Sequence, residues 1–239
     1  MNDRRVILLV LITAILAAAF TAGSWTAPHV PTLLFWAAVS IAAELMWIRL
    51  PVGEATLSMA SCSQFAMVLM LPRGHAMAIA AITGALSEAL YLRKSPSRVI
   101  FNASQTALAV GVASWLFSVS GGASARLLEL VAHGRMLPIG LAAIAYFAVN
   151  TGAVSLAVGL SERISPLAAW RKNFGYRYEL LASAALLSLG AMLASHYAAT
   201  GIPGTVLVAF PVVLAYQGYR KVTARRSTQE PESAERRAA

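Results

Sequence analysis

The hydrophobic residues of this chain fall into long runs that are separated by short polar stretches. Eight runs can be marked, at residues 6–22, 31–50, 56–72, 74–92, 99–119, 137–160, 179–198 and 203–219. A helix needs about 20 apolar residues to cross a bilayer, whereas a barrel strand needs about 10 with alternating polarity. The pattern therefore predicts an all-α, polytopic membrane protein with about eight transmembrane helices.

Two of these runs leave the number of spans open. The first run follows Arg4 and Arg5 and ends in small residues at 21–24, a pattern shared by uncleaved first spans and cleaved signal peptides. The third run, 56–72, is either a span or a re-entrant segment, and it ends at the turn-forming residues 71–74. Either departure leaves seven spans, and a re-entrant third segment inverts the topology downstream of it.

The amino-acid composition is typical of a membrane protein and predicts a transmembrane domain that is followed by a polar tail. Of the 239 residues, 58% are hydrophobic and 12% are charged, whereas about a quarter are charged in soluble domains. We predict one transmembrane domain over residues 1–219. Residues 220–239 are basic and polar, and we expect them to form a disordered cytoplasmic tail.

The distribution of positive charge predicts the orientation. Eight spans place both termini on one side, and that side holds sixteen of the nineteen Lys and Arg residues; the other side holds Arg73, Arg126 and Arg135. Positive residues collect on cytoplasmic loops, so both termini are predicted to be cytoplasmic, with the protein in a bacterial inner membrane. The net charge of +9 is then a topological signal, and we expect no nucleic-acid binding.

Several classes of chemistry are disfavoured by the residues that the chain lacks. Asp3 is the only aspartate and Cys62 the only cysteine, which excludes an intrachain disulfide and leaves paired-aspartate and Cys/His metal sites without ligands. No His-Glu-x-x-His motif, phosphate loop or Gly-x-Ser-x-Gly elbow is present. We therefore predict no enzyme activity, no metal and no cofactor.

Polar side chains inside the apolar runs are the candidate functional residues. Such groups are costly in a membrane unless they have partners or face a cavity. Most lie toward the predicted cytoplasmic half, with two nearer mid-membrane; the set is Glu44, Gln64, Glu88, Arg98, Asn102, Gln105 and Asn150. We predict a site for a small cationic or polar ligand, or for protons; the alternative is that these residues only join helices by hydrogen bonds.

A resemblance to a known family rests on the order of short motifs from Glu44 onward. These motifs occupy residues 44–45, 50–53, 58, 98–105, 150 and 210–211, and the most specific of them is Phe-Asn-Ala-Ser-Gln at 101–105. Their order resembles the multi-pass membrane-associated sensor (MASE) regions that precede diguanylate cyclase or HD-GYP phosphodiesterase domains in bacteria. The similarity covers about residues 35–220.

The resemblance implies a sensor-like, ligand-binding membrane module. No output domain follows residue 219 in this sequence, so we expect a stand-alone module that signals through a separate cytoplasmic protein. The alternative function is a small-molecule transporter, or the substrate-binding membrane component of an importer, with an ATPase module as its partner. The expected partners are therefore the bilayer, a small ligand and one of these two proteins, and formation of a homo-oligomer is left open.

Overall fold

The computed structural model describes residues 4–22, 25, 27, 29–49, 56–175 and 177–238. Within these ranges the chain is mainly helical. The elements, in order, are α1 (Arg4–Ala22), α2 (Val30–Glu44), β1 (Trp47–Arg49), β2 (Thr56–Ser58), α3 (Ala60–Met70), α4 (Arg73–Leu86), a π turn (Ser87–Tyr91), α5 (Pro96–Val119), a 3-10 turn (Ser124–Arg126), α6 (Leu127–Ala132), α7 (Leu137–Glu162), α8 (Pro166–Phe174) and α9 (Arg177–Ala238). Residues 50–53 of the sensor-like pattern lie outside the described residues.

Proline sets several helix boundaries. A proline lies in the first turn of α2, α5, α7 and α8. Backbone N–H groups in the first turn have no intrahelical acceptor, so a proline there costs the helix no hydrogen bond. Between α3 and α4, Leu71 is extended, with φ −106° and ψ 153°, because the residue before a proline is pushed out of the helical region. The predicted break between the third and fourth apolar runs is thus confirmed.

The prediction is wrong where the second apolar run was extended to residue 50 and the third began at 56. There the helix α2 ends at Glu44, and β1 pairs antiparallel with β2, Trp47 opposite Ser58 and Arg49 opposite Thr56. Residues such as Trp, Ile and Thr fit a strand at least as well as a helix. The fold is therefore helical with one short ribbon, which shortens both flanking helices.

The count of eight membrane spans is not confirmed. Four helices in the described part of the chain are long and apolar enough to cross a membrane: Arg4–Ala22, Pro96–Val119, Leu137–Glu162 and Glu179–Gly218. The helix α3 has 11 residues, which makes it about 16 Å long against a hydrocarbon core of about 30 Å. The helix α4 reaches the length of a span only together with its π turn.

The chain divides into two compact units, Met1–Ala199 and Thr200–Ala239. The helix α9 is interrupted at the same point, because Gly201 adopts a left-handed φ of +67°, and this interruption lies between the seventh and eighth apolar runs. Helical backbone continues to Ala238. The predicted division at residue 219, with a disordered tail after it, stays a prediction.

The core of the first unit is built around the short helix α3. Nine of its eleven residues are buried, and Phe65, Met67 and Leu69 are almost fully so. The first part of α9 approaches α3 very closely at Gly190, where an added Cβ would lie 2.6 Å from the carbonyl oxygen of Cys62. Because α3 is enclosed by other helices, its polar side chains are held inside the protein.

Candidate functional site

Glu44, the last residue of α2, is buried against α3 and α4. Its Oε1 atom accepts a hydrogen bond of 3.3 Å from Nε2 of Gln64, and the residue is 7% exposed. The same oxygen lies 3.6 Å from the Cβ position of Gly84 in α4. The helix dipole disfavours a negative charge at a helix carboxyl end, so Glu44 is not stabilised by its own helix and depends on tertiary contacts.

Gln64 connects this carboxylate to α7. The hydroxyl of Tyr146 donates a hydrogen bond to Oε1 of Gln64, and the Tyr146 ring packs edge-on to Phe65, with ring centroids 6.2 Å apart. Gln64 and Tyr146 are 5% and 3% exposed. Three helices are thereby joined through one chain of hydrogen bonds, which runs from Tyr146 through Gln64 to Glu44.

The second carboxylate, Glu88, lies in the π turn after α4. Nδ2 of Asn102, in α5, lies 2.6 Å and 2.8 Å from its two oxygens, and Nζ of Lys94 lies 2.7 Å from Oε1. The chain folds back here because the backbone N–H of Lys94 bonds to the carbonyl of Glu88 at 3.0 Å and Arg93 has a positive φ of +50°. π turns occur frequently at functional sites.

The two hydrogen-bonded groups form one charged region. Glu88 and Lys94 lie close enough to Glu44 to act on it electrostatically. We therefore use the name carboxylate cluster for Glu44, Gln64, Glu88, Lys94, Asn102 and Tyr146.

Positive and negative charges do not balance in the carboxylate cluster. Lys94 pairs with Glu88, and among the described residues no second Lys or Arg lies within ion-pair distance of either carboxylate. With both carboxylates ionised, the cluster carries one excess negative charge. A buried charge without a partner is strongly unfavourable, so this arrangement favours either protonation of a carboxyl group or the entry of a cation.

Two buried polar atoms beside the carboxylate cluster have unused hydrogen-bonding capacity. Gln105 is 6% exposed, and its Nε2 donates to the hydroxyl of Thr106 at 3.1 Å. Its Oε1 atom, like Oγ of Ser87, is buried and has no hydrogen-bond partner among the described residues. Since buried polar groups are normally paired, these atoms have hydrogen-bonding capacity left for a further molecule.

The predicted site residues are thus only partly brought together. The carboxylate cluster contains Glu44, Gln64, Glu88 and Asn102, and Gln105 follows Asn102 by one turn of α5. Arg98 is exposed and Asn150 is half-buried, and within the described ranges no hydrogen bond joins either side chain to the cluster. A role of Arg98 and Asn150 in ligand binding stays a prediction.

Sequence reasoning missed two members of the carboxylate cluster. Tyr146 precedes Asn150 by four residues, and this helical spacing places both on one face of α7. Spacing could therefore have suggested Tyr146. Lys94 was counted only as a topological charge, because six residues separate it from Glu88 and no helical periodicity connects the two.

Comparison with known proteins agrees with the resemblance found in the sequence. The family model of MASE9, a membrane-associated sensor domain family, matches residues 31–218, which include the whole carboxylate cluster. No curated protein and no solved structure matches the chain. Sensor domains of the MASE type are non-catalytic, and the family agrees with the apolar helices in indicating a membrane protein. Because the family model matches most of the length of the chain, the chain belongs to the MASE9 family of membrane-associated sensor domains.

Proposed function

We propose that this chain is the ligand-binding membrane module of a sensor, and that its carboxylate cluster binds a small cation such as an amine. The observation that carries the proposal is the charge imbalance at Glu44. Its buried carboxylate has the Gln64 amide as a hydrogen-bond donor, while the single cation of the cluster is paired with Glu88.

The free groups around the carboxylate cluster have the hydrogen-bonding character that an ammonium ligand requires. An ammonium group carries donors and no acceptor. Glu44 has carboxylate lone pairs to offer, and Oε1 of Gln105 is a buried acceptor without a partner. A bound ammonium group would neutralise the excess charge and give donors to these acceptors.

The remaining parts of the proposal concern location and signalling. We propose an inner-membrane protein with both termini in the cytoplasm, because sixteen of nineteen basic residues fall on one side of the eight-span arrangement. The carboxylate cluster then lies in the cytoplasmic half of the bundle, next to the loop that holds Lys94. Ligand binding would be reported to a cytoplasmic signalling protein, without catalysis by this chain.

The test is mild-detergent purification from the native membrane, followed by mass spectrometry of retained small molecules and proteins. The variants are Glu44→Gln and Glu88→Gln, with the exposed residue Glu129 as a matched control, Glu129→Gln. We expect a cationic metabolite on the wild type and on the control, and its loss from both cluster variants. Thermal unfolding with added putrescine or choline should give the same ranking of the four proteins.

Three results would contradict this assignment. Equal stabilisation of wild type and both cluster variants by these cations would show that the carboxylates do not bind them. Equal loss of folding in both variants, with no cation effect on the wild type, would show that the cluster only joins helices. Recovery of ATPase subunits in place of a signalling protein would favour the transporter.

A further inference from the structure

A cavity lies at the opposite end of the bundle from the carboxylate cluster. Its volume is about 520 Å³, and it lies where α3 ends, α4 begins and α5 ends. Ser114, one of its lining residues, follows Asn102 by twelve residues on α5, which is about 18 Å along the helix. In the eight-span arrangement that the charge distribution predicts, this end faces the outer side of the membrane, where an external ligand has access.

The polar lining of this outer cavity is positive. Arg73, at the start of α4, is the one charged residue among the described lining residues, and no described Asp or Glu lines the cavity. The guanidinium carbon of Arg73 lies 4.3 Å from the centre of the Phe20 ring, a cation–π contact that restricts where the side chain can go. Serine hydroxyls from Ser114, Ser118 and Ser124 make up most of the other polar lining.

Two further features add unmet hydrogen-bond donors to this positive lining. Ser114 is 7% exposed, and its Oγ atom is buried without a hydrogen-bond partner among the described residues. The helix α4 begins after Pro72, which gives its first N–H groups no side-chain cap, and such N–H groups with the helix dipole favour an anion. The unpartnered serine and the uncapped helix start point to the same kind of ligand.

Aromatic rings form the apolar part of the lining. The indoles of Trp25 and Trp115 line the cavity and are 56% and 46% exposed. Trp25 also packs edge-on against the buried ring of His75, with ring centroids 4.9 Å apart. Indole surfaces contact flat or apolar molecules well, so this lining suits an organic acid better than a bare inorganic ion.

We infer that the outer cavity binds the anionic group of a small organic molecule, with Arg73 and Ser114 as ligands and the two indoles against its apolar part. A free carboxylic acid and the phosphate of a lipid headgroup share this chemistry. The inference does not depend on the carboxylate cluster, since no residue belongs to both sites.

Tryptophan fluorescence of the full chain in mild detergent tests this site, because Trp25 and Trp115 lie in its wall. The probe is benzoate, and benzamide serves as a neutral molecule of the same shape. We expect saturable binding of benzoate, weakened about tenfold or more by Arg73→Gln because a charge-assisted hydrogen bond is lost. Ser114→Ala should weaken binding about threefold, and Arg135→Gln, the control at another outer arginine, should leave it unchanged.

Since Arg73 also contacts Phe20, Arg73→Gln can fail to fold, and Ser114→Ala then decides the outcome by itself. Equal binding of benzoate and benzamide, or benzoate binding unaffected by the folded variants, would overturn the inference. The same titration in phosphatidylcholine nanodiscs, with and without phosphatidylglycerol, distinguishes the two sources. Competition by phosphatidylglycerol would identify a lipid headgroup as the occupant. If phosphatidylglycerol does not compete, the occupant is a free acid. No benzoate binding and no lipid effect in any medium would also overturn the inference.

Discussion

Replacing Gln64 with leucine is the sharpest test of the hydrogen-bond chain that joins α2, α3 and α7. Leucine has a similar size but cannot donate to Glu44 or accept from Tyr146. Both of these partners are buried, at 7% and 3% exposed, so neither can find water in place of Gln64. The substitution therefore removes the hydrogen-bond donor of Glu44 and the acceptor of the Tyr146 hydroxyl, while the hydrogen bond between Ser61 and Tyr146 remains.

The size of the effect follows from these two losses. Leaving the buried Glu44 carboxylate without its donor costs about 1–3 kcal/mol, and the loss of one of the two hydrogen bonds of Tyr146 costs about 0.5–1.5 kcal/mol, so the total is about 1.5–4.5 kcal/mol. We expect a loss of about 3 kcal/mol in the free energy of unfolding, since the leucine side chain regains part of this through apolar contact. Gln217→Leu, at an exposed position, is the control and should change stability by less than about 0.5 kcal/mol.

A second substitution makes the expected result specific. Tyr146→Phe removes the hydroxyl that Gln64→Leu leaves without an acceptor, so the double variant should be more stable than the sum of the single losses predicts. We expect a recovery of about 0.5–1.5 kcal/mol, because replacing both partners of a buried hydrogen bond by apolar groups is nearly neutral.

The assay is equilibrium unfolding in mixed micelles at increasing SDS content, followed by the fluorescence of tryptophans such as the fully buried Trp36. A loss below about 1 kcal/mol for Gln64→Leu would show that its two hydrogen bonds contribute little. Strictly additive losses in the double variant would show that Tyr146 and Gln64 do not act through one bond.

Two further predictions concern packing and topology. Gly190→Ala should lower the free energy of unfolding by about 1–3 kcal/mol, because the new Cβ would lie 2.6 Å from the Cys62 carbonyl oxygen. The control is Gly140→Ala, where a Cβ meets nothing within 4 Å. Equal losses of stability for the two variants in the same SDS titration would contradict this packing. A reporter fused after Ala239 should be active in the cytoplasm, and a periplasmic signal would overturn the eight-span arrangement.

Local sequence pattern predicted most of the helical segments. The break at Leu71 and Pro72 and the interruption near Gly201 both follow from residues whose backbone preferences act within one or two positions. The pattern failed where it continued the second apolar run to residue 50, because β1 and β2 stabilise each other by pairing across the residues between them. Apolar content alone does not distinguish a short strand from the end of a helix.

The sequence also identified candidate residues better than it identified their partners. The cost of a polar group in an apolar run was enough to select Glu44 and Glu88. Their hydrogen-bond donors, Gln64 and Asn102, were in the same predicted set, but the pairing of each donor with its carboxylate required the structure. Arg98 shares a helix face with Asn102, yet its side chain is exposed while Lys94 makes the ion pair.

By itself, then, the amino-acid sequence determined the membrane class, the position of most helices, the family and a set of buried polar residues, since each depends on composition or on neighbours a few positions apart. The tertiary structure decided that α3 has 11 residues and is enclosed by other helices, since a helix that is buried on all sides has no periodic pattern of apolar residues in its sequence. It also brought Tyr146 to Gln64 across 82 positions of the chain. Such pairings depend on how the helices pack, and local preferences do not encode that arrangement.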